Sequence, residues 1–268
     1  MHIFTQALRY TSAICLLIAS STAVTAAPTK WIGQVGEYRL EVSQDSFKQL
    51  TPTPQNLLPI LESMGDEELL CEAERSVRLK SWVGTLVSFE QEDHWNCLTT
   101  AHPGAYTQVK TYNLTTGAPL KLTDIFPDKQ VLQALLADKI VQKHLSPGSS
   151  GQFSSSQQLV DYLTHNGVGE CAYTFGSDSL TNFYFHHIRN NQVAVRLGLS
   201  HGCEAARGNL TELGLYLPIP TAWSSSFKNA QQATHGFLAQ NNPVKKYPLH
   251  QRVKDPGYDK ALDALMAD

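Results

Sequence analysis

The chain has 268 residues, of which 42% are hydrophobic and 17% charged, and its formal net charge at pH 7 is -3. This apolar content is enough to bury a sizeable core, and it excludes a wholly disordered chain. Proteins that bind nucleic acid through phosphate contacts are normally basic, so the slightly acidic balance argues against nucleic acid as a partner.

The first 26 residues have the pattern of a signal peptide. Arg9 precedes an apolar run from Ala13 to Ala19, and small residues follow as far as Ala26, after which we predict cleavage. A retained membrane helix is the alternative, but the apolar run is shorter than the roughly 20 residues that a span needs. No later segment is apolar enough to cross a bilayer. We therefore predict a secreted or periplasmic protein without an integral membrane span after signal cleavage.

Four cysteines remain after that cleavage: Cys71, Cys97, Cys171 and Cys203. An even number of cysteines in an exported protein predicts two disulfides, for which three pairings are possible. Local closure favours Cys71 with Cys97, which bracket a strand-like stretch, and Cys171 with Cys203, which bracket one predicted hairpin. A zinc or thiol site is the alternative, although the sequence contains no CxxC pair.

The N-terminal segment, 27–75, is predicted to contain a strand and a helix. Glu37–Val42 alternates as a strand does, and Leu57–Met64 is typical of a short helix. The pattern then becomes strongly β. The alternating runs Ser76–Phe89 and Ala105–Leu114 predict two strands that are antiparallel neighbours.

Helices and a second pair of strands follow. Apolar residues recur at spacings of three and four across Val131–Val141, which predicts an amphipathic helix, and a shorter helix is predicted near Gln157–Thr164. Leu180–Ile188 and Gln192–Leu199 predict a hairpin whose turn contains two asparagines, a residue that tolerates positive φ. Leu213–Pro220 is predicted to be the closing strand.

The predicted fold class is α+β, with a mostly antiparallel β-sheet over 76–220 and helices packed on one face. Residues 221–268 are mostly polar and end in a short Ala/Leu-rich helix near Asp259–Met266. They are interpreted as a peripheral C-terminal extension of this domain.

Four short motifs in 76–220 have the pattern of a known family: Gly84–Phe89, Ala101–Pro103, Asn113–Gly117 and Leu120–Phe126. The last two are the most specific, because a strand ending in Thr-Gly is followed by L-x-L-x-D-I-F and a helix. On these residues the region resembles the extracytoplasmic RsiV-like domain of the lysozyme-sensing anti-sigma-V factor and of certain peptidoglycan deacetylases of Gram-positive bacteria.

The sequence also departs from that family. Family members usually have Gly-Gly before the Ala-His pair, whereas Thr99 and Thr100 precede Ala101 and His102 here, and the chain carries four mature cysteines. A cytoplasmic anti-sigma segment and a metal-binding deacetylase domain are absent, so signalling and deacetylation are not implied. The resemblance implies a binding module of the cell envelope that recognises lysozyme or peptidoglycan fragments.

Five residues are candidate ligand contacts. His102, at the entrance to the Ala105–Leu114 strand, is predicted with Tyr106 to line a binding groove, because imidazole both donates and accepts hydrogen bonds. The alternative is a loop histidine bonded to backbone. Glu90, Glu92 and Asp93 form an acidic run that, on an exposed loop, would meet a cationic partner such as lysozyme. The alternative for this run is the solvated end of a strand.

His186, His187, His201 and Glu204 carry groups that bind zinc. Neighbouring residues of a strand point to opposite faces, however, so His186 and His187 cannot both reach one ion without distortion. The sequence has neither HExxH nor G-x-S-x-G, and we predict a non-catalytic protein that uses no metal or other cofactor. The alternative is an envelope hydrolase or deacetylase-like enzyme that acts on cell-wall glycan through His102, or through His186 with His201.

Overall fold

The computed structural model describes residues 30–43, 46–58, 61–62, 69–98, 100–166, 171–232, 236–242 and 249–267. The predicted signal peptide lies outside the described residues. So does half of the helix predicted at Leu57–Met64, and the described half, 57–58 and 61–62, is not helical. The strands are β1 (Trp31–Val35), β2 (Tyr38–Val42), β3 (Phe47–Thr51), β4 (Gln55–Asn56), β5 (Cys71–Val83), β6 (Leu86–Cys97), β7 (Gly104–Asn113), β8 (Phe183–Arg189), β9 (Gln192–Leu199), β10 (Thr211–Pro218) and β11 (Leu249–Lys254). The helices are α1 (Asp128–Ala137), α2 (Lys139–Lys143), α3 (Ser156–Asn166), α4 (Ser224–Gln231) and α5 (Tyr258–Ala267).

The fold is α+β with antiparallel sheets, as predicted. A central sheet has the strand order β11-β5-β6-β7, an N-terminal sheet has β1-β2-β3-β4, and a third sheet has β10-β9-β8. The predicted hairpin of β8 and β9 is confirmed, and both turn residues, Asn190 and Asn191, have positive φ values of 50° and 57°.

The prediction of one strand over Ser76–Phe89 is wrong, because β5 turns back into β6 within that run. Gly84 makes the turn at φ +60°, and a Cβ added there would lie 2.6 Å from Oγ of Ser226 in α4. Glycine is therefore needed both for the backbone conformation and for the close approach of the helix. The alternation hides the turn because the residues on either side of it, Val83 and Leu86, are both buried. The β6 and β7 strands are antiparallel neighbours, as their two runs predict.

The polar C-terminal region contributes to the central sheet. The strand β11 pairs antiparallel with β5, in register from Leu249 opposite Val77 to Lys254 opposite Glu72. This strand is not predicted from the sequence, because a sheet-edge strand with charged and polar residues has only a weak apolar alternation. Phe227 of α4 is also fully buried, so the region packs on the domain core at more than one point.

Two apolar cores lie on opposite sides of the assembly of sheets. In the first, α1 and α3 bury side chains such as Val131 and Leu159 against the sheet that contains Phe183. In the second, the N-terminal sheet covers one face of the central sheet around Trp82 and Phe89. The buried residues of α1 and α3 recur at spacings of three and four, which the sequence predicts for α1.

A row of buried hydroxyl groups joins β8 to the central sheet. Ser81 Oγ donates to Ser88 Oγ at 2.9 Å, and Ser88 Oγ lies 2.8 Å from Thr111 Oγ1. Thr111 Oγ1 donates to the carbonyl of Phe183 at 2.6 Å, while the amide of Phe185 donates to Ser81 Oγ at 3.2 Å. Buried polar groups are costly unless they are hydrogen-bonded, so this row specifies how β8 is placed against β5, β6 and β7.

Two disulfides connect Cys71 with Cys97 and Cys171 with Cys203, which is the pairing that local closure favours. The first crosses between directly opposed residues of β5 and β6. Two disulfides fit an extracellular location, where thiols are not kept reduced. Among the described residues, no helix combines the length and apolar character needed to cross a membrane.

Candidate functional site

Two β-bulges line one cleft between the central sheet and β8. The pairing of β5 with β6 shifts register between Leu79 and Ser81, so Lys80 is the extra residue. The pairing of β8 with β9 shifts between Phe185 and His187, so His186 is the extra residue there. Bulges are frequent beside functional sites, because the extra residue re-aims a side chain.

Both bulged residues line a cavity of about 350 Å³. We call this cavity the bulge cleft, and its lining residues are Arg78, Leu79, Lys80, Glu90, Tyr184, His186 and Ala239. Ligand pockets in proteins typically have volumes of roughly 300–1,000 Å³, so the bulge cleft is at the lower end of that range. It is large enough for one small chemical group and its immediate neighbours.

The segment 236–242 holds the β5 bulge in place. The side-chain Nδ2 of Asn242 donates to the carbonyls of Leu79 and Lys80, each at 3.0 Å. Phe237 accepts a hydrogen bond at its carbonyl from the amide of Trp82, just beyond the bulge. Asn242 is only 5% exposed, so it supplies in the interior the hydrogen bonds that a regular sheet ladder would have made.

The same segment also holds the β8 bulge. The amide of Ala239 donates to the carbonyl of Phe185 at 3.2 Å, and the amide of Gln240 donates to the carbonyl of His186 at 3.0 Å. One piece of chain from the C-terminal region therefore fixes both bulges, and with them the width of the bulge cleft.

The predicted residue Glu90 lies inside the bulge cleft, where its carboxylate meets two cations. It accepts hydrogen bonds from Arg78 Nη2 and from Lys80 Nζ, the latter at 2.7 Å, and its side chain is 9% exposed. The ammonium of Lys80 also lies 4.5 Å from the centroid of the Tyr184 ring, a cation–π contact. Pairing of this kind offsets the cost of burying a carboxylate, so Arg78 and Lys80 stabilise Glu90 in the cleft.

Tyr184 forms an uncharged aromatic wall of the bulge cleft. Its hydroxyl donates to Glu212 Oε1 at 2.8 Å. Burial, followed by the charge and the hydrogen bond of Glu212, raises the pKa of Tyr184 above its ordinary value. The phenol therefore stays protonated across the physiological range and presents a neutral ring beside Lys80.

His186 belongs to a hydrogen-bonded chain of rings that runs from the cleft to the surface. Its Nδ1 lies 2.8 Å from Nδ1 of His187, whose Nε2 lies 3.2 Å from the hydroxyl of Tyr216. Burial first, and then the positive charges of Arg196 and Arg189, lower the pKa of His187 below its ordinary value. His187 is therefore neutral at pH 7, and one Nδ1–H can bridge the two imidazoles.

The acidic run lies within β6, so its predicted placement on an exposed loop is wrong. Asp93 forms a two-point ion pair with Arg75, at 2.7 Å and 3.0 Å, and Glu92 accepts from His94 Nε2 at 2.9 Å. Strand alternation places Glu90 and Glu92 on one face of the sheet and Asp93 on the other. The three carboxylates thus have partners inside the sheet and do not form one acidic surface.

His102 and Tyr106 lie away from the bulge cleft. His102 is exposed in the connection between β6 and β7, where its carbonyl lies 3.4 Å from Thr100 Oγ1. Tyr106 is half-buried in β7, opposite Asp93 of β6. Binding by these two residues stays a prediction, and the structure does not bring them together with Glu90.

His186 and His201 occupy different parts of the β8–β9 hairpin. His186 lies in the middle of β8, beside His187, whereas His201 follows the end of β9 that is away from the turn. In the part of the chain that the structure describes, no group of three or more His, Cys, Asp or Glu side chains is placed to hold a metal ion.

Comparisons of the chain with protein-family models, with curated proteins and with solved structures found no match. What the bulge cleft does must therefore be inferred from its own groups and from the motifs in the sequence.

Most residues of the bulge cleft are not identified as site residues from the sequence alone. The one signal is the pair Arg78 and Lys80, which flank Leu79 in a strand. Alternation places two cations on one face there, where acidic residues of the next strand would be favourable neighbours. Tyr184 and Asn242 carry no such signal, because their roles depend on the packing of distant segments.

Proposed function

We propose that this chain is an exported, non-catalytic binding protein of the bacterial cell envelope that recognises peptidoglycan fragments in the bulge cleft. The observation that carries the proposal is the convergence of two bulges, at Lys80 and His186, on one polar cavity. Each bulge interrupts the backbone hydrogen bonds between its two strands. Hydrogen bonds from Asn242 and its neighbours stabilise the bulged conformation. Such an arrangement is expected where side chains must be aimed at a ligand.

Export is supported by two independent features of the chain. The signal-peptide pattern of residues 1–26 directs a protein out of the cytoplasm, and the two disulfides fit an oxidising compartment. The motif resemblance around Leu120–Phe126 supports a role in the cell envelope. Together they favour a secreted or periplasmic protein.

The choice between peptidoglycan fragments and lysozyme is based on the charges of β6. Asp93 is paired with Arg75, and Glu90 with Arg78 and Lys80, so little negative charge is left to attract a cationic protein. A concave cleft with cations and an aromatic wall is better suited to a small acidic fragment.

A binding role is favoured over the envelope hydrolase by the chemistry of the same groups. Both carboxylate oxygens of Glu90 accept hydrogen bonds from cations, so neither is aimed at a substrate proton as a general base must be. No Ser, Thr or Cys is among the lining residues of the bulge cleft, so a covalent intermediate on a hydroxyl or thiol has no attacking group there.

Titration calorimetry with a disaccharide-peptide muropeptide tests the proposal. We expect the purified protein to bind the muropeptide, and Lys80→Gln to weaken binding roughly tenfold or more, since one charge-assisted contact is removed. Lys48→Gln is the matched control, because Lys48 is an exposed lysine of β3. The proposal is overturned if lysozyme binds and the muropeptide does not, or if the protein clears peptidoglycan in a zymogram.

A further inference from the structure

The bulge cleft has more hydrogen-bond donors than acceptors left for a ligand. Arg78 and Lys80 each give one hydrogen bond to the carboxylate of Glu90. A guanidinium and an ammonium both have further N–H groups. Beyond a 3.8 Å approach of Arg78 to Glu92 and the contact of Lys80 with the Tyr184 ring, these N–H groups meet no other acceptor in the described part of the chain.

The two cations lie nearer to solvent than the carboxylate that they share. The side chain of Arg78 is 48% exposed and that of Lys80 is 21% exposed, against 9% for Glu90. A group entering from solvent therefore meets the cations before it meets Glu90. The carboxylate beneath holds both cations in place, which reduces the entropy lost when they bind a ligand.

The carboxylate oxygens of Glu90 and the phenol oxygen of Tyr184 each already have a hydrogen-bond partner within the protein. Each oxygen of Glu90 accepts from one cation, and the hydroxyl of Tyr184 is committed to Glu212. A sugar hydroxyl needs an acceptor as well as a donor for full satisfaction, whereas a carboxylate only accepts. Of the remaining walls, Leu79 and Ala239 are apolar, and the Nδ1 of His186 is engaged with the Nδ1 of His187.

We infer that the bulge cleft binds a free peptide carboxylate, with Arg78 and Lys80 as the donors. The inference rests on the proposed function and names the recognised part of the fragment: the peptide stem, and not its neutral sugars. The planar fork of a guanidinium matches the two oxygens of a carboxylate, and Lys80 adds a second, less directional charge. Leu79 and Ala239 then lie against the small side chain next to that carboxylate.

The test compares a muropeptide with the same muropeptide whose carboxyl groups have been converted to amides. Titration calorimetry on the purified protein is expected to show roughly tenfold or more weaker binding of the amide, and Arg78→Gln is expected to remove this preference. Arg78→Lys, which keeps the charge without the fork, should retain part of it. Arg39→Gln, at an exposed arginine of β2, should leave the preference unchanged.

Each result separates the inference from the proposed function. Equal affinity for the acid and the amide overturns the inference and leaves the proposed function standing. Failure of both muropeptides to bind overturns the proposed function. The inference is then decided with acetyl-alanyl-alanine, which has a free peptide carboxylate but no sugar. Binding of this dipeptide that Arg78→Gln abolishes supports the carboxylate site, and its failure to bind overturns it. A cooperative unfolding transition near the wild-type midpoint establishes that each variant is folded.

Discussion

Replacing Trp82 by alanine is expected to lower the free energy of unfolding by about 3–5 kcal/mol, the range for deleting a fully buried large aromatic side chain. The side chain is 0% exposed, and its ring lies 6.5 Å from that of Trp31 and 4.9 Å from that of Phe237. Its Nε1 donates to the carbonyl of Gly84 at 2.9 Å. Trp82 thus joins the N-terminal sheet, the β5–β6 turn and the segment that fixes the bulges.

Urea unfolding followed by circular dichroism measures this loss. Trp95→Ala is the control, because Trp95 lies in β6 but is only half-buried, so its loss should be clearly smaller. A change of less than about 1 kcal/mol for Trp82→Ala, which is the size of an average substitution, would show that Trp82 does not connect these segments as described.

Removing the Cys71–Cys97 disulfide by a double alanine substitution is expected to lower the free energy of unfolding by about 2–4 kcal/mol, because the unfolded chain gains conformational entropy. The two cysteines are 26 residues apart in sequence, and their side chains are 2% and 6% exposed, so lost packing adds to this cost. The disulfide joins opposed ends of β5 and β6, and Cys71 donates its amide to Asp255 Oδ2 at 2.6 Å beside β11.

The double variant Cys171→Ala and Cys203→Ala is the matched comparison. Its cysteines are 32 residues apart, so the cost from the unfolded chain is nearly the same, but Cys171 is exposed and little packing is lost. Urea unfolding without a reducing agent should therefore rank the Cys71–Cys97 variant as the less stable. The reverse order, or no loss from either, would contradict the buried packing of the first disulfide between β5 and β6.

The elements that depend on local pattern are predicted well from the sequence. The amphipathic spacing of Val131–Val141 corresponds to α1 and α2 together, with a break at Asp138, whose side chain accepts from the amides of Ile140 and Val141. The predicted asparagine turn after β8 is confirmed, because tolerance of positive φ is a property of asparagine itself.

The elements that depend on distant partners are not predicted. A bulge is an offset between two strands, so neither Lys80 nor His186 is recognisable as an extra residue from its own strand alone. The turn at Gly84 is hidden between apolar residues, and β11 is polar because it lies at an edge.

Glu90 lines the candidate site, but not as an exposed acidic contact. Its place in an acidic run predicts an exposed contact for a cationic partner, whereas it lies in a strand beneath Arg78 and Lys80. The residue lines a cleft, but there its carboxylate is paired with two cations.

The most direct test of the bulge cleft as the ligand site is nuclear magnetic resonance of the isotope-labelled protein during titration with a muropeptide. We predict that the largest chemical-shift changes occur at residues 78–80, at 184–186 and at 239–242, which together form the cleft and hold its bulges. Changes concentrated at His102 and Tyr106, with the resonances of Lys80 and His186 unmoved, would contradict the assignment of ligand binding to the bulge cleft.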